Sequence, residues 1–513
     1  MPTKEFTQLK KNGRVILVGA GPGDPGLITV KGLERIKIAD VLVYDRLVDK
    51  HLFSEIKEDC EMIYVGKAAS DHTMEQDKIN ELLYLRAKSG KNVVRLKGGD
   101  PYVFGRGGEE AEYLAGQGVE VEVVPGITSA LAGPAYAGIP LTHRDIASSF
   151  HVITAHRKKG EIDTVDYPAL ARLSGTLVFL MGLSNLEKIQ TGLLENGMKK
   201  ETPVAVISQA TTPKQKTVVS TLEGILEAIK KDPVLPPALV VAGDVVNLRE
   251  SLSFFETLPL FSKNIVVTRA RNKKAELSSE LCEMGANVIE FPMIRIEKIL
   301  NTGTLKELLK SFSQFDIVIF TSENGAGIFL DELFSLSCDA RIFAGKKICA
   351  IGQKTQDALQ RYGLCADIMP ERGISEGLWE KLSGEISNES RVLLVQAKNG
   401  RKYLTEMLEK ACKLTVVYPY ETLAEDADAG ELRDLLKNGE IDAITFTSQS
   451  TVTNLLSHIS ASELKESGVL LFSIGESTTK AIKNYGLCVC LESEKTDVHS
   501  LAEAVKRAFM KKE

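Results

Sequence analysis

The chain has 513 residues, a net charge of −6, and 43% hydrophobic and 26% charged residues. That length allows three or four domains with full cores, and the balance is that of an ordinary soluble protein. The negative net charge argues against a general nucleic-acid binder, and no apolar run reaches the ~18 residues a membrane helix needs.

The opening stretch, Met1-Pro-Thr-Lys-Glu-Phe-Thr-Gln, has no apolar segment of signal length, so a cytoplasmic location is expected. Arg14-Val-Ile-Leu-Val-Gly19 then reads as a strand ended by Gly-Ala-Gly-Pro-Gly-Asp-Pro-Gly26, with a helical pattern over Ile28–Lys37. Strand, glycine turn and helix is the dinucleotide-binding layout, and the next strand, Val41-Leu-Val-Tyr, ends at an acid, Asp45. Pro22 and the pair Asp24-Pro25 sit badly with that layout. They stiffen the turn and put negative charge where a pyrophosphate would lie. A nicotinamide-dependent reductase is therefore the rival reading.

A second strand, Val93-Val-Arg-Leu-Lys97, leads into Gly98-Gly-Asp-Pro-Tyr-Val-Phe-Gly-Arg-Gly-Gly-Glu-Glu110. Adjacent glycines let backbone approach a ligand closely, and Asp100 suits a cationic or hydroxyl-rich ligand better than a phosphate. A third turn, Val124-Pro-Gly-Ile-Thr-Ser-Ala130, adds hydroxyls. Basic residues cluster here: Arg95, Lys97 and Arg106 flank the second loop, and Arg144, Arg157, Lys158 and Lys159 follow. Each is either a solvated surface charge or part of an anion site.

These residues carry a resemblance. Val18-Gly-Ala-Gly-Pro-Gly-Asp-Pro-Gly-Leu-Ile-Thr29, Arg95 to Glu110, and Gly138-Ile-Pro-Leu-Thr-His-Arg-Asp145 look like the tetrapyrrole methylase family, and within it the uroporphyrinogen-III C-methyltransferases. The likeness runs from about Gly13 to Arg249. It implies two α/β domains with S-adenosylmethionine between them, often in a homodimer. It also implies methyl-donor contacts from Pro22, Gly98, Gly99, Asp100, Val103, Thr128, Ser129, Met181 and Ala210. At the last of these, Gln209-Ala-Thr211 departs from the family's Asn-Gly-Thr. Asp45 falls at the family's proton acceptor and Lys67 at its proton donor, and Arg106 and Arg144 would meet substrate carboxylates. A carboxylate can take the proton that a methylated pyrrole carbon must lose. No metal is implied.

Beyond the junction Leu248–Lys263, which has no low-complexity stretch and is expected to be partly packed, the chain is written twice. Asp316-Ile-Val-Ile-Phe-Thr-Ser322 returns as Asp442-Ala-Ile-Thr-Phe-Thr-Ser448, Ala350-Ile-Gly-Gln-Lys-Thr355 as Ser473-Ile-Gly-Glu-Ser-Thr478, and Tyr362-Gly-Leu-Cys365 as Tyr485-Gly-Leu-Cys488. Ile265–Asn272 matches Val392–Asn399. The period is that of a small α/β domain, with strands and helices alternating as in a parallel sheet. The strand-end Thr-Ser pairs and Gly-x-x-Thr turns read as helix caps, about half of them also able to touch carboxylates. Of the eight scattered cysteines only Cys488 and Cys490 are close, too few ligands for a metal site, and they read as buried thiols.

Val267-Thr-Arg269, Val417-Tyr-Pro-Tyr-Glu-Thr422, Thr445-Phe-Thr-Ser448 and Ile474-Gly-Glu-Ser-Thr478 resemble the uroporphyrinogen-III synthase family over roughly 264–510. That resemblance implies two similar parallel-sheet lobes on a two-stranded hinge, with about 300–420 in one lobe and the flanks in the other. Tyr420 would assist loss of a hydroxyl, Ser477 and Thr478 would line the cleft, and Arg269, Ser322 and Ser448 would contact carboxylates. The whole reads as an α/β bifunctional tetrapyrrole enzyme with a methyltransferase over 1–250, a linker over 251–263 and a synthase over 264–513. Its substrates would be hydroxymethylbilane and then uroporphyrinogen III, methylated twice to precorrin-2 for sirohaem or cobalamin. The alternative treats the repeated half as a two-lobed ligand sensor that regulates the methyltransferase.

Overall fold

The computed structural model describes residues 13–57, 59–66, 74–155, 165–268, 276–291, 293–371, 374–424 and 429–510. They fall into two compact units, one running to Lys263 and taking in Leu281–Asn287, the other holding the rest. No helix among the described residues is long and apolar enough to cross a membrane.

The first unit contains two sheets. Strands β1 (Arg14–Gly19), β2 (Val41–Tyr44), β3 (Glu61–Tyr64), β4 (Asn92–Lys97) and β5 (Glu120–Val124) form an all-parallel sheet ordered β3-β2-β4-β1-β5. Strand β1 is apolar on both faces because helices cover both. Val15 and Leu17 enter one core cluster, and Ile16 and Val18 the opposite one. Strands β6 (Phe150–Thr154), β7 (Thr176–Leu180), β8 (Pro203–Ser208), β9 (Lys216–Thr221) and β10 (Ala238–Ala242) make a mixed sheet ordered β6-β7-β10-β8-β9. Only β6 and β7 pair in parallel there.

The stretch after β10 is packed. Phe255 lies against Tyr136 with ring centroids 4.8 Å apart, and Leu260 is fully buried. Arg249 pairs with Glu256 at 2.6 Å, and Glu256 also accepts from Gln215 and Thr217.

In the second unit the strands run β11 (Asn264–Thr268), β12 (Asn287–Glu290), β13 (Ile294–Lys298), β14 (Ile317–Phe320), β15 (Lys347–Ala350) and β16 (Arg391–Val395). They continue with β17 (Lys413–Val417), β18 (Tyr420–Ala424), β19 (Ala443–Phe446), β20 (Leu470–Ser473) and β21 (Leu491–Glu492). One lobe has the sheet β12-β11-β19-β20-β21 and the other β15-β14-β16-β17. The antiparallel pair β13–β18, with Lys298 opposite Tyr420, joins them.

Each sequence repeat is therefore divided between the lobes. β11 of the first repeat pairs with β19 of the second, and β14 of the first with β16 of the second. Both sheets end up with equivalent strands in the same order, β11-β19-β20 matching β16-β14-β15. This exchange explains why the sequence period does not coincide with the lobe boundary.

Candidate active sites

In the first unit, three strand-end loops meet through bare backbone. The Gly21 N–H donates to the Gly99 carbonyl at 3.2 Å, and the Gly99 N–H donates back at 2.6 Å. A Cβ on Gly126 would lie 2.2 Å from the Gly99 oxygen and 2.6 Å from the Gly19 Cα. Only glycine permits this approach. Asp100 fastens the arrangement: its carboxylate accepts from the backbone N–H groups of Tyr102 (2.7 Å), Val103 (3.1 Å) and Gly126 (2.9 Å).

Asp24 does not face a phosphate site. Its carboxylate takes the Gly26 N–H and the Tyr136 hydroxyl at 2.6 Å, while its own N–H donates to Thr211 Oγ1. Burial first, and then this bond to Asp24, raises the Tyr136 hydroxyl well above its ordinary range. The turn runs into a short 3-10 helix, Pro25–Leu27, before Thr29 caps the helix Val30–Lys37. The glycine turn thus lacks the direct entry into a helix N-terminus that a dinucleotide requires.

These loops wall a cavity of about 550 Å³. Pro22, Gly98, Gly99, Val103, Thr128, Ser129, Met181 and Ala210 all line it; Asp100 stands behind the wall. Sequence reasoning missed Arg46, Leu47, Phe104 and the Pro236-Pro237 pair, which line it too. Two prolines just before β10 were the available signal for the last of these. Backbone strain concentrates at the same place. Phe104, Met181, Gln209 and Thr211 hold φ of 54°, 55°, 45° and 67°, a region non-glycine residues rarely adopt.

Asp45 follows β2, beside the cavity-lining Arg46 and Leu47. Its Oδ1 accepts the Leu47 N–H at 3.1 Å, and its Oδ2 is 3.5 Å from Arg95. Lys67 lies outside the described residues, as do Arg157, Lys158 and Lys159. The sequence left Arg95 and Lys97 open between solvated surface charges and an anion site, and the structure excludes the first. They are 4% and 5% exposed and gather on the fully buried Glu110, Lys97 at 2.9 Å and Arg95 at 3.5 Å. Successive odd positions of β4 share a face, which places both cations over the helix Gly107–Gly116 that carries Glu110. Burial, and secondarily the Arg95 charge, lowers the Lys97 pKa. Arg106 is exposed and paired with Glu109 at 2.6 Å, and Arg144 is exposed.

In the second unit Ser322 and Ser448 cap equivalent helices, Glu323–Ser335 and Gln449–His458, accepting the N–H groups of Gly325 (3.0 Å) and Thr451 (3.3 Å). The Gly-x-x-Thr turns behave differently: Gly352 and Gly475 occupy the cap positions, and Thr355 and Thr478 are buried in the first turns. Ser477, next to Thr478, is exposed, and its carbonyl accepts from Gln449 at 3.1 Å. Tyr420, 6% exposed, reaches across from the hinge and donates its hydroxyl to Ser322 at 3.0 Å. Arg269 lies outside the described residues. Cys488 and Cys490 are exposed, not buried, because they lie in the connection before the two-residue strand β21 and not on an apolar strand.

Two family models match the chain: Tetrapyrrole (Corrin/Porphyrin) Methylases over residues 14–226 and Uroporphyrinogen-III synthase HemD over 275–503. The fold and the two sites thus define a bifunctional enzyme of tetrapyrrole biosynthesis, a methyltransferase joined to a synthase. A porphyrin biosynthesis protein HemD from Ruminiclostridium josui is 37% identical over 96% of this chain and 97% of its own. The chain belongs to that HemD family. A uroporphyrinogen-III C-methyltransferase of Bacillus subtilis is 43% identical over 71% of this chain and 74% of its own. A solved Thermus thermophilus uroporphyrin-III C-methyl transferase, complexed with S-adenyl homocysteine, is 43% identical over 46% of this chain and 94% of its own, with a TM-score of 0.40.

Proposed function

We propose that the second unit closes hydroxymethylbilane to uroporphyrinogen III with inversion of the last ring, and that the first transfers two methyl groups from S-adenosylmethionine to give precorrin-2. The observation that carries the methyl-donor half is the cavity. Segments of chain scattered between Pro22 and Ala210 converge on about 550 Å³ walled by glycine backbone and strained loops. Gly21, Gly98 and Gly99 present bare backbone on this wall, and behind it the loops pack so closely that a Cβ on Gly126 would lie 2.2 Å from the Gly99 oxygen; such a wall suits a ligand gripped by main-chain groups. Apolar neighbours such as Val103, Met181 and Leu239 suit a thioether and its adenine.

When bound, the donor supplies an electrophilic methyl group; the chain's own residues do the rest. Gly98, Gly99 and Thr128 orient the donor, and Asp45 receives the proton displaced from the pyrrole carbon. Asp45 Oδ1 is held by the Leu47 N–H, which leaves Oδ2, on the Arg95 side, to take that proton. Lys67 returns one. Arg106 and Arg144 meet substrate carboxylates, and Arg46, missed in the sequence, joins them from the cavity wall. In the second unit Ser322, Ser448, Ser477 and Thr478 hold the linear substrate folded with Arg269, and Tyr420 assists loss of its hydroxyl. Holding one conformation then decides which carbon attacks. We place the enzyme in the cytoplasm, as a homodimer through the methyltransferase half, with functional boundaries at 250 and 264.

The test is anaerobic incubation of the purified protein with hydroxymethylbilane, first alone and then with S-adenosylmethionine. Isomer III alone, converted to a dimethylated product with the donor, is the expected result. Only the spontaneous isomer I would sink the synthase assignment and favour a sensor role for the repeated half.

A further inference from the structure

Ser322 sits where two donors end on one oxygen. Its Oγ accepts the Gly325 N–H at 3.0 Å and the Tyr420 hydroxyl at 3.0 Å. A hydroxyl oxygen has two lone pairs and one hydrogen, so both acceptor positions are filled and the O–H remains to be given away. Nothing among the described residues receives it. Ser322 is half-buried, whereas Tyr420 behind it is 6% exposed. A substrate in the cleft can reach the serine more readily than the tyrosine.

The other lobe supplies a contrast. Ser448, the repeat counterpart of Ser322, caps its helix in the same way but shares its hydroxyl with Ser450 at 2.8 Å. The matching stretch of the first hinge strand carries Met293-Ile294 where the second carries Tyr420. Among the described residues, the Ser322 cap therefore has a buried tyrosine behind it, whereas the Ser448 cap has the hydroxyl of the neighbouring Ser450. A pure capping role would need no tyrosine and would not break the symmetry of the repeat.

We propose that Ser322 is a catalytic residue of the ring closure, relaying the proton of the buried Tyr420 to the departing hydroxyl. The inference rests on the synthase reading above. As the C–O bond of the hydroxymethyl group breaks, its electron pair leaves with oxygen. The Ser322 hydrogen goes to that oxygen, releasing water, and Ser322 takes the Tyr420 hydrogen in the same step. The substrate is left as a delocalised cation and Tyr420 as a phenolate. The phenolate lies against the first turn of the 323–335 helix, whose N-terminal end carries partial positive charge. When the closed ring loses its extra proton, the proton returns through Ser322 to Tyr420, so no net acid is consumed.

The test uses the full chain and hydroxymethylbilane, with isomer III read by chromatography. Ser322→Asp keeps both the helix cap and an acceptor for Tyr420 but has no hydrogen to give at neutral pH, whereas Ser322→Thr keeps all three. S322D should lose about 10²-fold in kcat with its melting temperature near wild type, the scale of general acid catalysis. S322T should restore most of that loss. Tyr420→Phe should show a similar loss, and the double variant S322D/Y420F should be no slower than the slower single one. Full activity in S322D, or losses that multiply in the double variant, would overturn the relay while leaving the synthase reading intact. Isomer I alone from the wild type would overturn both.

Discussion

In the first unit the parts of the cavity wall are fixed by partners far away in sequence. Asp100 reaches Gly126, Asp24 reaches Tyr136 and Thr211, and Glu110 reaches Gln76 as well as Arg95 and Lys97. In the second unit the cap serines are each fixed by an amide three residues on, with Ser322 adding one distant partner, Tyr420. The first arrangement yields one stiff cavity whose loops cannot shift singly. The second yields two self-sufficient lobes whose helix ends stay formed whether or not a substrate is between them. A methyl donor that must sit in line with its acceptor benefits from stiffness. A flexible linear tetrapyrrole that must be folded benefits from two preformed walls on a hinge.

The largest test of this contrast is Glu110→Ala. It removes the buried carboxylate that Arg95 and Lys97 share and leaves Asp45, 3.5 Å from Arg95, as the remaining acid; removing one partner of a buried pair costs about 3–5 kcal/mol. The loss should fall on the first unit alone. The chain has a single tryptophan, Trp379, which is partly buried and packs against a core cluster of the second unit. Far-UV circular dichroism should therefore show an early transition in E110A, while Trp379 fluorescence melts as in the wild type. Methyl transfer should fall with the early transition and isomer III formation should survive. A shift of the tryptophan transition would mean that the two halves are stabilised together and would break the comparison.

A smaller effect, of mixed sign, separates stiffness from stability. Met181 lines the cavity with φ 55°, a conformation that costs a non-glycine residue of order 1–2 kcal/mol. Met181→Gly should raise the stability of the first unit by up to about 1 kcal/mol, the remainder being offset by the freer unfolded chain. It should also weaken S-adenosylmethionine binding in calorimetry, because a side chain of the wall is gone. Weaker binding together with lower stability would show that the local strain does not matter.

Legibility followed the same division. The Thr-Ser pairs at 321–322 and 447–448 were readable as caps because a cap is completed within three residues of its own sequence. The strand-end glycine loops were readable for a related reason: each lies on one short motif. Arg95 and Lys97 misled, since their partner Glu110 lies on a helix and nothing in the spacing shows that β4 is covered on that face. The exchange of half-repeats between lobes was equally hidden. It depends on β11 choosing β19 and β14 choosing β16, pairings made across more than one hundred intervening residues in the first case. The Tyr420–Ser322 bond, which spans 98 residues, belongs to that second kind even though each partner had been singled out separately.

The smallest effect tests whether local capping accounts for the lobe as it does for the serines. Glu463 closes a capping box with Ser460 and also pairs with Arg433 at 2.9 Å. Hydrogen bonds from the Ser460 hydroxyl and backbone N–H, and then the Arg433 contact, lower its pKa from 4.5 to about 2. A carboxyl whose folded pKa is depressed stabilises the fold above its unfolded value and loses that contribution as pH falls through the folded one. Glu463→Gln should therefore melt below the wild type at pH 7 by a margin that shrinks between pH 4.5 and 2 and vanishes beneath it. Because the pair is partly exposed, added salt should narrow only the part due to Arg433 and leave the capping part in place. A margin that salt abolishes entirely would assign the effect to long-range charge, and the second unit would then resemble the first.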